Sequence, residues 1–262
     1  MAREAIVCGL FDSLVHTYAR VEVTGREHLA EVDGPAIIVA NHCSHVDTPV
    51  LLRALPRAWR RRTAVTAAAD YFYSSRVLGA TVSLAFGTVP LQRRNSGAAG
   101  GAGSAHRSTD SLKPLIDAGW NLVVFPEGTR SRDGRVGSLR TGAAGLAAEH
   151  GLPIVPVHID GTHDAMPVGR SWMNRPDGGG RFARHTLRVS FGHPLHVGQG
   201  DDLHEAMENV RLFMQVCGAQ TTPDPKLGAR RAAAATAEAE SEAKAKTAAE
   251  ADARRVPQGR SA

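Results

Sequence analysis

Three short apolar runs rich in β-branched residues limit the folds open to this chain. They occupy residues 36–40, 121–125 and 154–159, and continuous runs of this length are typical of strands that are buried on both faces. A fourth run, residues 186–191, alternates apolar and polar side chains, which predicts a strand nearer the edge of a sheet. Helical patterns lie between the runs, at about residues 46–54, 109–118, 138–149 and 202–216. Strands that alternate with helices predict an α/β fold, with a mostly parallel sheet flanked by helices.

The composition fits one folded domain followed by a tail. The 262 residues are 42% hydrophobic and 22% charged, which is ordinary for a globular protein and excludes a fully disordered chain. Residues 229–253 contain none of Leu, Ile, Val, Phe, Met or the aromatic residues, so this segment has no apolar face to bury. We therefore expect a folded domain at residues 1–222 and a disordered tail, rich in Ala, Glu, Lys and Arg, at residues 223–262. Residues 96–105 are only Ser, Gly and Ala, which indicates a flexible surface loop.

The start of the chain predicts a helix with one apolar face. No window of 18 uninterrupted apolar residues occurs, so the sequence predicts no transmembrane helix. Residues 5–19 carry apolar side chains at helical spacing, interrupted by Asp12 and His16, and this pattern is typical of an amphipathic helix. Such a helix either covers a core or lies on a membrane surface. Three widely spaced cysteines without a CxxC pair indicate a reduced chain in the cytoplasm.

Residues 41–47 (NHCSHVD) follow the first apolar run and offer an acid–base pair. If His42 lies in the loop after the strand and Asp47 lies in the first turn of the next helix, their side chains can meet. Asp47 would then fix the tautomer of the imidazole, and His42 would remove a proton from a hydroxyl or from water. The alternative is that Asp47 only stabilises the helix start, in a capping box with Ser44 as the N-cap. No G-x-S-x-G motif accompanies the pair, so we expect the substrate to supply the nucleophile.

Residues 125–134 (FPEGTRSRDG) form a second polar loop, which follows the run at 121–125. Gly128 lets the backbone approach a ligand closely, while Thr129 and Arg130 supply a hydroxyl and a guanidinium fork. Glu127 either holds Arg130 or accepts a hydrogen bond from a substrate hydroxyl. The alternative is a plain turn, because Pro, Gly, Ser and Asp all favour turns. Both polar loops follow the carboxyl ends of predicted buried strands, which is the edge at which open α/β sheets bind ligands.

Two further patterns complete an ordered set of four. Residues 87–93 (GTVPLQR) end in Arg93, and residues 153–157 read PIVPV. With the NHCSHVD and FPEGTRS blocks, they make the chain resemble the glycerolipid acyltransferases of the lysophosphatidic acid acyltransferase (1-acylglycerol-3-phosphate acyltransferase) type. The likeness covers about residues 20–200 and includes a closing strand and turn at residues 189–195 (VSFGHPL).

The resemblance implies a single acyltransferase domain. It implies transfer of a fatty acyl group from acyl-CoA or acyl carrier protein to a hydroxyl of a lysophospholipid, with 1-acylglycerol-3-phosphate as the expected acceptor and phosphatidic acid as the product. His42 becomes the catalytic base and Asp47 its orienting partner. The residues placed around the acceptor phosphate are Arg93, Glu127, Gly128, Thr129 and Arg130. No cofactor, metal or nucleic acid is implied. Backbone N–H groups near Ser44 are expected to help as an oxyanion hole.

Lipid substrates imply contact with a membrane. The net charge of +5 favours anionic surfaces, and Trp59 lies among arginines at positions 57 and 60–62. Tryptophan beside arginine suits an interface with anionic headgroups, although a solvated basic loop is the alternative. With the helix at residues 5–19 as a second anchor, we expect a peripheral protein on the cytoplasmic side of the cell membrane.

Three other functions remain open at this point. The first is an acyltransferase that acts on another lipid acceptor. The second is a metal-dependent hydrolase in which His42, His45 and Asp47 hold a metal ion. Its second group of ligands would come from His158, Asp160, His163 and Asp164. The third is a basic lipid-binding domain without turnover, although the intact His–Asp pair favours catalysis.

Overall fold

A computed structural model describes residues 9, 11–68, 88–91, 112–178 and 180–222 of the chain. The described elements are, in chain order, α1 (Phe11–Tyr18), β1 (Ala19–Thr24), a 3₁₀ helix (Arg26–Glu31), β2 (Ile37–Ala40), α2 (Asp47–Ala54), α3 (Arg57–Arg61), β3 (Thr63–Ala68), β4 (Thr88–Leu91), α4 (Lys113–Asp117), β5 (Asn121–Val124), α5 (Gly142–His150), β6 (Ile154–Asp160), α6 (Thr162–Ala165), β7 (His185–Phe191) and α7 (Leu203–Val216).

The described strands form one sheet in the order β1-β7-β6-β2-β5-β3-β4. All neighbouring pairs are parallel except β6 and β7, which run antiparallel. The strands β2, β5 and β6 therefore end together at one edge of the sheet, which we call the carboxyl edge. Because β7 is reversed and β1 runs parallel to β7, these two strands end at the opposite edge, which we call the amino edge. The predicted α/β fold with a mostly parallel sheet is confirmed.

The central strands separate two cores, and their side chains alternate between them. Ile38 and Val155 are fully buried on the face covered by α2, whereas Ile37 and Ile154 are fully buried on the face covered by α5 and α7. Successive side chains of a strand point to opposite faces, so a strand buried on both sides needs an apolar residue at every position. This explains why the runs in the sequence are continuous rather than alternating.

The predicted elements agree closely with the observed ones. The four runs form β2, β5, β6 and β7, and β7 lies one strand in from the edge because β1 covers it. The helix predicted at 138–149 begins later, at Gly142. The chain before it is held against the second polar loop, where the Arg140 N–H donates to the carbonyl of Pro126 at 3.1 Å. Part of the helix predicted at 109–118 lies outside the described residues, and α4 begins at Lys113.

Three strands, β1, β3 and β4, escaped prediction, and polar side chains obscure the patterns of the first two. Strand β1 lies at one edge of the sheet and is partly exposed, and β3 contains two threonines whose hydroxyls donate to backbone carbonyls. Thr66 Oγ1, for example, donates to the carbonyl of Val123 at 2.9 Å. Of the helix predicted at residues 5–19, the described part is α1, which ends at Tyr18 where β1 begins. None of the described helices combines the length and the apolar character needed to span a bilayer.

Some expectations fall outside the described residues. They concern the loop at residues 96–105, Arg93 and the tail at residues 223–262. The division between domain and tail stays a prediction.

Candidate active site

His42 and Asp47 meet at the carboxyl edge. Strand β2 ends at Ala40, and the side chain of Asn41 exchanges two hydrogen bonds with the backbone of Ile159, which fixes the start of the loop against β6. His42 Nδ1 lies 2.8 Å from Asp47 Oδ2. The side chain of His42 is 22% exposed, and that of Asp47 is fully buried. The pair therefore combines a carboxylate held inside the protein with an imidazole that solvent or substrate can reach.

Asp47 is surrounded by hydrogen-bond donors. Its Oδ2 accepts from the backbone N–H groups of Cys43 and Ser44 at 2.7 and 2.8 Å, in addition to His42 Nδ1. Its Oδ1 accepts from Thr162 Oγ1 at 2.5 Å. A carboxylate accepts but does not donate, so Nδ1 of His42 carries a hydrogen and Nε2 is the nitrogen that can accept a proton.

The predicted capping box is half correct. Helix α2 begins at Asp47 with Val46 as its N-cap, so the expectation that Ser44 is the N-cap is wrong. Ser44 Oγ donates instead to the carbonyl of Met166 at 2.7 Å and accepts from the Val46 N–H at 3.3 Å. Asp47 nevertheless reaches back to the Ser44 N–H, as the acidic member of a capping box does. Holding His42 and stabilising the helix start are therefore simultaneous roles of one carboxylate.

The oxyanion hole expected near Ser44 stays a prediction, but three of the N–H groups there are not available for it. The N–H groups of Cys43 and Ser44 already donate to Asp47, and the Val46 N–H donates to Ser44 Oγ. An oxyanion hole needs donors aimed at the position of the developing charge. These three donors are taken within the loop itself.

The second polar loop is joined to the first through His42. The His42 N–H donates to Glu127 Oε1 at 2.8 Å, and the Ser131 N–H donates to the carbonyl of His42 at 2.7 Å. The ring of Phe125 stacks on the imidazole, with 4.2 Å between centroids and 20° between planes. The carboxyl ends of β2 and β5 thus bring the two motifs together, as their positions after parallel strands predict.

Glu127 supports the backbone of this site. Its second oxygen, Oε2, accepts from the Gly137 N–H at 3.0 Å, so both oxygens bind main-chain donors. Burial raises the pKa of Glu127 above its ordinary value, and the two N–H donors act in the opposite direction. Within the described residues no contact joins Glu127 to Arg130, and the interpretation that Glu127 holds Arg130 is not supported.

Gly128, Thr129 and Arg130 are the remaining predicted site residues of the second loop. Gly128 has φ +76°, and a Cβ there would lie 3.0 Å from Cζ of Arg140. Glycine therefore admits the guanidinium of Arg140, a residue that no motif in the sequence had indicated. Thr129 is exposed and Arg130 is partly buried. Burial, and secondarily the charge of Arg130, lower the pKa of His45.

Thr162 is the functional candidate that sequence analysis missed. It follows β6 at the carboxyl edge, is fully buried, and donates to Asp47 across 115 positions of chain. Gly161 allows the turn, because a Cβ at this position would collide with the carbonyl oxygen of Thr186. The only signal in the sequence was a hydroxyl residue directly after a buried strand, which is too common to be specific.

Two potential nucleophiles near His42 are not available for attack. The Ser44 side chain is fully buried, and its hydroxyl donates to the carbonyl of Met166. Burial, with a further contribution from Asp47, raises the pKa of the Cys43 thiol to about 12. A thiol of this kind stays protonated near neutral pH and is a poor nucleophile. Both findings agree with a nucleophile supplied by the substrate.

The alternative metal site is not assembled around His42. Among the described residues, the group of His, Cys, Asp and Glu side chains that lie close enough to share a metal ion is His28, Glu31 and His193, at the amino edge. The four donors proposed from residues 158–164 do not join such a group. Asp160, for instance, pairs with Arg188 at 3.3 Å.

The family of this chain is shown by comparison with known proteins. The model of the acyltransferase family matches residues 20–160, which include both polar loops and strands β1 to β6. This chain belongs to the acyltransferase family. The predicted resemblance is therefore confirmed.

Relatives of this chain include two plant proteins. A chloroplastic 1-acyl-sn-glycerol-3-phosphate acyltransferase of Arabidopsis thaliana is 30% identical over 208 residues, covering 77% of this chain and 51% of the relative. One of Brassica napus is 29% identical over 200 residues, covering 74% and 51%. The chain thus spans about half the length of these relatives. The crystal structure of the 1-acyl-sn-glycerophosphate acyltransferase from Thermotoga maritima shares the fold, with a TM-score of 0.58, 23% identity, and coverage of 84% of this chain and 83% of that one.

Proposed function

We propose that this chain transfers a fatty acyl group from acyl-CoA or acyl carrier protein to the free hydroxyl of 1-acylglycerol-3-phosphate, which yields phosphatidic acid. The proposal rests on the contact between His42 and Asp47 beside the FPEGTRS loop at the carboxyl edge. The names of the plant relatives support the choice of acceptor.

The chemistry follows from the orientation of His42. Nε2 accepts the proton of the acceptor hydroxyl while the hydroxyl oxygen attacks the thioester carbonyl. The tetrahedral intermediate then collapses, the C–S bond breaks, and the proton passes from His42 to the departing thiolate. Ester and free thiol are the products. Asp47 stabilises the imidazolium, and a positioned base of this kind contributes roughly 10²–10⁴-fold to the rate.

Arginines are proposed to hold the acceptor phosphate. Arg130 lies on the second loop directly before Ser131, whose N–H donates to the carbonyl of His42, and Arg140 lies against Gly128. Guanidinium groups bind phosphate in a bidentate manner, and this fixes the acceptor hydroxyl near His42 and reduces the entropic part of the barrier. Arg93 remains the predicted third partner.

The decisive experiment is a donor and acceptor screen on the purified full chain, with products identified by mass spectrometry. We expect phosphatidic acid from 1-acylglycerol-3-phosphate and much less product from 1-acylglycerol, which differs only by the phosphate. Arg130→Lys should raise the KM for the acceptor and leave the KM for the donor nearly unchanged, because lysine keeps the charge but loses the fork. Arg132→Lys is the matched control on the same loop.

Equal use of 1-acylglycerol would contradict phosphate recognition and favour another lipid acceptor. Release of free fatty acid without ester product, abolished by a chelator, would favour the hydrolase instead. Paired assays with acyl-CoA and with acyl carrier protein decide between the two donors.

We also propose peripheral association with the cytoplasmic side of the cell membrane. Arg57 and Arg61 on α3 and the adjacent Arg62 are exposed, and each arginine near an anionic surface contributes roughly 1 kcal/mol to binding. Arg60 is not part of this surface, contrary to expectation. It is buried, and its guanidinium donates to the carbonyl of Leu55 at 3.1 Å.

Co-sedimentation with anionic vesicles tests the membrane proposal. Substitution of Arg57, Arg61 and Arg62 by serine should weaken binding, and added salt should weaken the binding of the unmodified chain. A charge-matched control replaces exposed arginines elsewhere, namely Arg135, Arg170 and Arg181. Equal loss of binding in both triple variants would show that net charge, rather than this surface, attracts the vesicle.

A further inference from the structure

A second cluster of histidine and carboxylate side chains lies at the amino edge. His28 and Glu31 belong to the 3₁₀ helix that follows β1, and His193 lies two residues after β7. His28 Nδ1 lies 2.9 Å from Glu31 Oε1, and His193 Nδ1 lies 3.0 Å from both oxygens of Glu31. The proposed acyl transfer uses none of these residues, since β1 and β7 end at the edge opposite His42.

The backbone holds the cluster together. Strands β1 and β7 pair in parallel through Thr24 and Ser190, so the segments that follow them leave the sheet side by side. Gly25 has φ +69°, and a Cβ there would collide with the carbonyl oxygen of Phe191. Glycine thus permits the 3₁₀ helix to start directly against the end of β7. This close approach brings the rings of His28 and His193 to a centroid distance of 3.7 Å.

We propose that His28, Glu31 and His193 form a binding site for a divalent transition-metal ion such as Zn²⁺. Two imidazole nitrogens and one carboxylate oxygen are the donor types that such ions prefer. Their donor atoms all lie within 4.8 Å of one another. Ligand atoms around a tetrahedral zinc ion are about 3.3 Å apart, so the spacings of 2.9–3.0 Å between Glu31 and each histidine need to widen only slightly.

The placement and exposure of these side chains suit a metal site. Glu31 Oε1 lies within hydrogen-bond distance of Nδ1 of both histidines, so one carboxylate contacts both imidazoles. The side chains of Glu31 and His193 are 47% and 71% exposed, which gives an ion access from solvent and lets the imidazole rotate. Three protein ligands leave a fourth position for water.

A bound metal ion would link two segments of the chain at the amino edge of the sheet. The ion would join the 3₁₀ helix after β1 to the turn after β7 through side chains that are far apart in sequence. Because the site exists only in the folded chain, metal binding stabilises that state by an amount that grows with metal concentration. The proposed effect of the ion is on stability, and it stands independently of the acyltransferase proposal.

The test uses the full chain without an affinity tag, stripped of metal by a chelator. Titration with Zn²⁺ should show one equivalent bound at this site and a rise in melting temperature of several degrees. Co²⁺ should give a visible absorption band typical of four- or five-coordinate cobalt. His193→Asn and Glu31→Gln should each weaken Zn²⁺ binding at least tenfold and remove the cobalt band. His204→Asn, at an exposed histidine on α7, is the matched control and should behave as the unmodified chain.

The melting temperature of each metal-free variant separates lost binding from lost folding, and Glu31→Gln preserves the size and one acceptor of the side chain. Unchanged Zn²⁺ affinity in the two folded variants would overturn the proposal. Loss of the cobalt band in His42→Ala would overturn it as well, because the ion would then bind at the carboxyl edge.

Discussion

The two edges of the sheet each hold a histidine at hydrogen-bond distance from a carboxylate, yet the two pairs are suited to different tasks. His42 and Asp47 lie 2.8 Å apart at the carboxyl edge, and His28 and Glu31 lie 2.9 Å apart at the amino edge. Asp47 is fully buried, whereas the Glu31 side chain is 47% exposed. The distance alone therefore does not distinguish a base-orienting carboxylate from a metal ligand.

The donors around each carboxylate explain the difference. Asp47 accepts from two backbone N–H groups and from Thr162 as well as from His42. These hydrogen bonds fix its position and leave it little capacity to bind another ligand. Glu31 accepts only from two imidazoles among the described contacts. A buried carboxylate fixed by dipoles stabilises a cationic imidazole strongly because little solvent screens it. An exposed carboxylate such as that of Glu31 is screened by solvent, but its side chain can rotate toward a metal ion.

The largest expected effect comes from removing the base at the carboxyl edge. His42→Ala should lower turnover by roughly 10²–10⁴-fold, the usual contribution of a general base. The fold should stay intact with a lower melting temperature, because the variant loses the hydrogen bond to buried Asp47 and the stacking on Phe125. The Zn²⁺-dependent rise in melting temperature should persist. Steady-state kinetics and thermal melting of the same preparation provide the measurement.

Turnover of His42→Ala near that of the unmodified chain would remove the base assignment. His204→Ala is the control for replacing a histidine far from the site.

A smaller effect is expected from removing one donor to Asp47. Thr162→Val keeps the shape of the side chain but loses the hydroxyl, and a hydrogen bond to a charged group contributes about 1.5–3 kcal/mol. We expect kcat to fall roughly tenfold with both KM values nearly unchanged, together with a lower melting temperature. Thr162→Ser retains the hydroxyl and should restore kcat.

The serine variant decides how Thr162 acts. If Thr162→Val and Thr162→Ser lower kcat equally, packing rather than the hydrogen bond to Asp47 is responsible. The carboxylates at the two edges would then differ mainly in their burial rather than in the donors around them.

The central residues of the candidate site could be predicted from the sequence because they are close along the chain or follow parallel strands. His42 and Asp47 are five residues apart, and Glu127 follows a strand that ends at the same edge. Prediction failed where a hydrogen-bond partner is distant in sequence or where a charged side chain is buried. Thr162 is 115 residues from Asp47, and Arg60 looks like a surface arginine in sequence but caps carbonyls inside the protein.

The sequence by itself determined the α/β class, the buried strands and the two polar loops, because continuous apolar runs and turn-forming motifs act locally. Only the tertiary structure decided the antiparallel placement of β7, since no local pattern distinguishes the direction of a strand. That reversal carries the end of β7 to the amino edge and places His193 beside His28. Tertiary structure also decided which donors surround Asp47, because hydrogen bonds over long chain separations form only once the sheet has brought its loops together.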